Sequence, residues 1–145
     1  MFKKLRRNSS INGLFRIPIK FLERTVPCAI ESLSNRWQIS GTVNLRILEI
    51  DFKMHSECDD PFVNQLYFNK RLDEENDLRL FVSLAKRCKT ILDIGAHTGL
   101  YSVLSSKSNP KATVYAFEPY HINKRRLELN CALNGLSNVR IFGKA

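Results

Sequence analysis

The chain has 145 residues, of which 43% are hydrophobic and 10% aromatic, enough to bury the core of one domain and too apolar for a disordered chain. Its four cysteines, Cys28, Cys58, Cys88 and Cys131, show neither a CxxC pair nor a regular framework, so they read as reduced thiols of a cytoplasmic protein and exclude a disulfide scaffold. The net charge of +9 is uneven, with +6 carried by the first 24 residues through Lys3, Lys4, Arg6, Arg7, Arg16, Lys20 and Arg24 against Glu23.

Residues 1–40 form a basic extension that contains Pro18 and Pro27 and a short amphipathic pattern around IPIKFLERTV. Such a start could contact an anionic membrane face, a nucleic acid or an acidic partner; the plainer reading is a solvated terminus. MFKKLRRN is not followed by an apolar run of signal-peptide length, and no stretch approaches the ~20 apolar residues of a spanning helix. Neither a secretory leader nor a transmembrane segment is expected.

From Gly41 to Met54, GTVNLRILEIDFKM alternates in one register at Val43, Leu45 and Ile47 and in another at Leu48, Ile50, Phe52 and Met54. A change of register means one strand with a bulge or two short strands. His55, Glu57, Cys58, Asp59 and Asp60 in HSECDDP are all of metal-ligand type. With no second matching pair elsewhere, a polar loop before Pro61 is the better reading and no metal is expected. RLDEENDLRLFVSLAKRC then reads as a helix, with Leu78, Phe81, Val82 and Ala85 on one face, acids in its first turn and Lys86 and Arg87 in its last.

From Lys89 the order is strand TILDI, a helix from near Gly99, strand ATVYAFE, a helix from about Tyr120 to Asn134, and strand NVRIF. Strands alternating with helices at this spacing predict parallel βαβαβ, half of a Rossmann-like doubly wound sheet in an α/β fold, preceded by a small helix and strand extension. On the second helix Ile122, Leu129, Leu133 and Leu136 are expected to face the core, Gly135 to cap the C-terminus, and Lys124, Arg125 and Arg126 to form the solvated side. Cys131 is expected to be buried filler.

Open parallel sheets bind ligands outside the carboxyl ends of their strands, which here means the loops from Asp93 to Gly99 and from Glu118 to His121. Each loop begins with an acid. A dinucleotide site would set its first βα turn against a pyrophosphate, which an ionised Asp93 would repel, and the GxGxxG fingerprint is absent because His97 stands at the middle glycine position. A ligand with positive charge near this turn and a ribose further along fits better. S-adenosylmethionine has that form: Asp93 would favour its cationic end, Glu118 would accept from the ribose diol, and Gly95 and Gly99 would let backbone approach closely. Tyr101, in the first turn of the helix, is read as packing ahead of a cofactor wall, and His121 as either an adenine contact or an exposed helix residue.

LDIGAHTGLYS, VYAFEP and LELNCALNGLSNV resemble, in order and spacing, the S-adenosylmethionine-dependent methyltransferases of the FkbM type, which methylate mainly hydroxyls of sugars and polyketides. The likeness runs from about Thr90 to Val139, with a weaker stretch back to about Asp73, and does not cover the first 40 residues. It implies a cofactor half over residues 89–145 within a methyltransferase domain portion of 41–145. It places Asp93, Gly95, Ala96, His97 and Gly99 in the glycine-rich first motif and Glu118 and Pro119 at the ribose-binding acid. His97 departs from the asparagine usual in that motif. Glu75, in the preceding helix, is a lesser candidate for a cofactor contact, a helix-cap role being the better reading.

In that family the chain continues into strands that help to build the acceptor side, and nothing here follows Ala145. The resemblance therefore implies a cofactor half-site with no identifiable general base, in a chain that does not transfer methyl groups alone. The acceptor implied is a glycan or other small-molecule hydroxyl. The other readings are a nucleic-acid methyltransferase, in keeping with a pI near 9.7, and a non-catalytic remnant that binds cofactor or a partner.

Overall fold

The computed structural model describes residues 38–68 and 75–144. The basic extension, and the part of the predicted helix before Glu75, lie outside the described residues. Those described divide into two compact units, one of residues 38–43 and 55–68 and the other of 44–54 and 75–144.

Strands β1 (Ser40–Ile47) and β2 (Ile50–Glu57) form a two-stranded sheet, antiparallel because only two residues connect them. The change of apolar register is the hairpin turn itself. Leu48 and Glu49 both take positive φ, 48° and 67°, the requirement of a primed two-residue turn, here met without asparagine or glycine. Val43 and Leu45 on one strand and Phe52, Met54 and Ser56 on the other are buried. His55 and Glu57 belong to β2 and not to a polar loop. In the first unit, α1 (Pro61–Tyr67) begins where the Asp60 side chain accepts from the Val63 N–H at 3.1 Å, an N-cap strengthened by proline at the first helical position. Asn64 Oδ1 accepts from the Ile39 N–H at 3.1 Å. Asp60 is thus a helix cap, and among the described residues no three His, Cys, Asp or Glu side chains converge as a metal site would.

In the second unit, α2 (Glu75–Ala85), β3 (Thr90–Ile94), α3 (Leu100–Ser108), β4 (Thr113–Phe117), α4 (His121–Leu133) and β5 (Val139–Phe142) follow in the predicted order. The sheet is parallel, in the order β3-β4-β5, with Ile91 opposite Val114, Asp93 opposite Ala116, and Ala116 opposite Ile141. Alternation sorts the faces. Ile91, Val114 and Val139 pack with Ala85 and Ala112, while Ala116 and Ile141 pack with Ala96, Leu127 and Cys131. The opposite face carries Leu92 and Ile94, 62% and 72% exposed, and the stacked rings of Tyr115, Phe117 and Phe142. Tyr101 is a packing residue, its ring edge-on to Phe81 at 4.8 Å. Lys86 and Arg87 lie just past the end of α2 and not in its last turn.

Helix α4 is rotated from the face its leucines predict. Leu127, Cys131, Asn130 and Arg126 are buried, whereas Ile122 and Leu129 are 41% and 40% exposed, and Leu133 and Leu136 are half-buried. Arg126 is therefore on the inner side and not part of a solvated run. The inner face mixes polar and apolar residues, so counting leucines alone points the wrong way. Its end follows the prediction: Gly135 has φ 64°, its N–H donates to Ala132 O and that of Leu136 to Cys131 O, the paired bonds of a Schellman cap. The Asn134 amide then takes both the N–H and the C=O of Lys53 at 2.9 and 2.7 Å, pairing with β2 as a strand would.

Leu127→Ala is expected to cost about 2–5 kcal/mol and Leu129→Ala less than about 1 kcal/mol, read as shifts of the urea midpoint at constant slope. Equal costs would contradict the rotation of α4.

Candidate functional site

The two loops singled out from the sequence meet at the carboxyl ends of β3 and β4. Phe117 O accepts from both Gly95 N and Ala96 N, at 2.9 and 3.0 Å, so the first loop folds back over the end of β4. Glu118 follows β4 at once, and its own N–H bonds Phe142 O of β5 at 3.0 Å. Its side chain is only 5% exposed. Oε2 accepts from the His97 N–H at 2.8 Å and Oε1 from the Tyr120 N–H at 2.9 Å. One carboxylate thus fastens both loops, and a desolvated acid needs such partners.

Asp93 sits one residue before the end of β3, half-buried, where its Oδ2 accepts from Ser102 Oγ at 2.6 Å. Burial pushes its carboxyl above the ordinary value and the Glu118 charge adds to the rise, against the lowering by Ser102. None of the causes is a neighbouring cation. A carboxyl raised chiefly by burial, with a second carboxylate nearby, makes an arrangement that suits a positively charged ligand.

The glycines have separate duties. Gly95 has φ 77° with nothing within 4 Å of the place a Cβ would occupy, so its outer side is open to a ligand. Gly99, at φ 94°, has no such room: a Cβ would collide with Leu127 Cδ1. Its absence of a side chain lets the start of α3 close on α4, and the Asn130 amide secures the same junction by donating to Thr98 O at 2.8 Å. His97 occupies the left-handed region at φ 50°, where asparagine, aspartate and histidine are each favoured over most residues. The departure from asparagine therefore keeps a residue type that this backbone tolerates.

The sequence-derived residues are brought together unevenly. Asp93, Gly95, His97 and Glu118 gather at the loops. Gly99 is a packing position, and Ala96 turns its methyl into the core, 6% exposed, so that it presents only backbone. Pro119 and His121 are exposed, and the His121 ring meets that of Tyr120. Sequence reasoning missed Ser102, Asn130 and Leu127. The signal for Ser102 was a hydroxyl one turn into the helix that follows Asp93, which places it back against the strand end.

No family model matches this chain. Among solved structures it is similar to TYW2 from M. jannaschii in complex with AdoMet, with 16% identity and a TM-score of 0.54 over 74% of this chain and 45% of that one. It is also similar to a SAM-dependent methyltransferase from Agrobacterium tumefaciens, with 14% identity and a TM-score of 0.52 over 72% of this chain and 33% of that one. The chain thus spans less than half the length of either. A stretch of 53 residues is 42% identical to the AMB antimetabolite synthetase AmbE of Pseudomonas aeruginosa, covering 37% of this chain and 2% of that protein. The fold is accordingly the α/β, Rossmann-like fold of these methyltransferases.

Gly99→Ala is expected to destabilise the chain by about 2–4 kcal/mol, since it adds both overpacking and an unfavourable φ. His97→Val, a β-branched residue that the left-handed position disfavours, is expected to destabilise it by about 1–2 kcal/mol. Thermal unfolding of the two variants beside the parent checks both signs; a stabilising Gly99→Ala would contradict the close approach to Leu127.

Proposed function

We propose that this chain is the cofactor-binding portion of an S-adenosylmethionine-dependent methyltransferase whose acceptor is a hydroxyl of a sugar or another small molecule. The observation that carries the reading is the pair of carboxylates, Asp93 and Glu118, at neighbouring strand ends with the open side of Gly95 beside them. The fold shared with methyltransferases supports it, and the likeness of LDIGAHTGLYS and VYAFEP to the FkbM type supports the choice of acceptor.

S-adenosylmethionine, when bound, supplies a methyl group already activated on a sulfonium. The residues present fit it. Asp93, held by the hydroxyl and the backbone N–H of Ser102, would set its carboxylate toward the cationic end. A carboxylate has about four acceptor positions; two of those on Glu118 hold His97 N–H and Tyr120 N–H, and the others are suited to a ribose diol. The Gly95 turn lets backbone approach without a side chain between. Catalysis on this reading is mainly positioning, because holding the reacting atoms in line removes most of the entropic barrier.

Calorimetric titration is expected to show binding of S-adenosylmethionine and S-adenosylhomocysteine, and none of NAD. Asp93→Asn is expected to weaken S-adenosylmethionine by about 1.5–3 kcal/mol, the worth of a charged hydrogen bond. The same change is expected to raise the melting temperature at pH 7. Because the folded value of Asp93 lies above the unfolded one, charging it costs stability as pH rises through that folded value, and asparagine removes the cost. The gain should vanish as pH falls below the ordinary carboxylate range. Binding of NAD alone, or undiminished cofactor binding by Asp93→Asn, would contradict the assignment.

A further inference from the structure

Helix α2 has two faces of different character. Leu78, Val82 and Ala85 are buried, with Phe81 half-buried against Tyr101. On the outer side, Leu80 and Leu84 stand one turn apart, 60% and 54% exposed, and at 3.6 residues per turn Arg87 continues the same line. The Arg87 N–H donates to Leu84 O at 2.9 Å, so the turn persists to that residue. Along one flank Arg79 and Lys86 line a cleft of about 330 Å³ with Leu48, Val82, Ser83 and Arg87. Among the described residues that lining has three cations and no acid. Asp77, in the first turn of the helix, is exposed and precedes Leu80 by three residues.

We propose that this outer face of α2 is a contact surface for an anionic membrane, with Leu80 and Leu84 entering the boundary between headgroups and acyl chains and Arg79, Lys86 and Arg87 meeting the lipid phosphates. Charge complementarity selects an anionic occupant. The shape selects a membrane over an acidic peptide, because the exposed leucines project from a convex helix, whereas peptide recognition sinks apolar anchors into a concave groove. Apolar residues beside a basic flank are the pattern of helices that lie in the interface plane. The +6 charge of the first 24 residues adds attraction to the same kind of surface. The inference does not depend on the methyltransferase reading, since none of these residues belongs to the loops that carry it.

The test is co-sedimentation of the full chain with vesicles of phosphatidylcholine, with and without phosphatidylglycerol. Three proteins are compared: wild type, Leu80→Ser/Leu84→Ser, and Arg79→Gln/Lys86→Gln/Arg87→Gln. Wild type is expected to bind only the vesicles that contain phosphatidylglycerol. Each cation near the surface strengthens binding about fivefold, so the triple variant should bind about a hundredfold more weakly, and the leucine variant about tenfold more weakly. Circular dichroism melts confirm that both variants keep the fold; should one lose it, the other carries the test. Three results would overturn the proposal: no binding by wild type, equal binding by all three proteins, or capture by soluble polyglutamate that the variants lose while vesicles are not bound.

Discussion

The carboxylate of Glu118 is the tie on which the candidate site depends. A buried acid must have its charge met by hydrogen bonds, and here the donors are two backbone N–H groups from different loops, those of His97 and Tyr120. That requirement fixes where the turn after β3 lies relative to the turn after β4. It also explains why His97 holds a left-handed backbone at φ 50°: this conformation brings its N–H to Oε2. The glycines act around this tie, with Gly99 allowing α3 to close on Leu127 and Gly95 leaving the outer side open.

Burying the Asp93 carboxyl disfavours its charged form, and the carboxylate of Glu118 adds to this. The Ser102 hydroxyl offsets only part of the rise. A perturbed carboxyl at a strand end supports the proposal of a cationic ligand there. Sites of this kind are where local rules are expected to be broken.

Much of the βαβαβ order was legible because period-2 apolar runs and period-3.6 stripes alternate cleanly after Lys89. The Gly135 cap was legible because only glycine readily takes that backbone. The orientation of α4 was not. Its buried face includes Asn130, committed to Thr98 O, and Arg126, and a reading that ranks faces by leucines discounts both. The hairpin was half-legible: the register change at Leu48 was visible, yet its turn lacks asparagine and glycine, so a bulge and a turn looked alike. At the site, the acids could be found from their place at strand ends. That Glu118 holds both loops, and that Ala96 packs inward, depends on contacts between segments some twenty residues apart, which no local pattern encodes.

Amide signals of the chain in two-dimensional nitrogen–proton NMR report whether the loops tied by Glu118 hold S-adenosylmethionine. On addition of S-adenosylmethionine, saturable shifts are expected at Gly95, His97 and Tyr120, with Lys107 in the last turn of α3 and Asn134 at the end of α4 unmoved. Shifts confined to those helix ends, or the same loop shifts produced by NAD, would contradict the cofactor assignment.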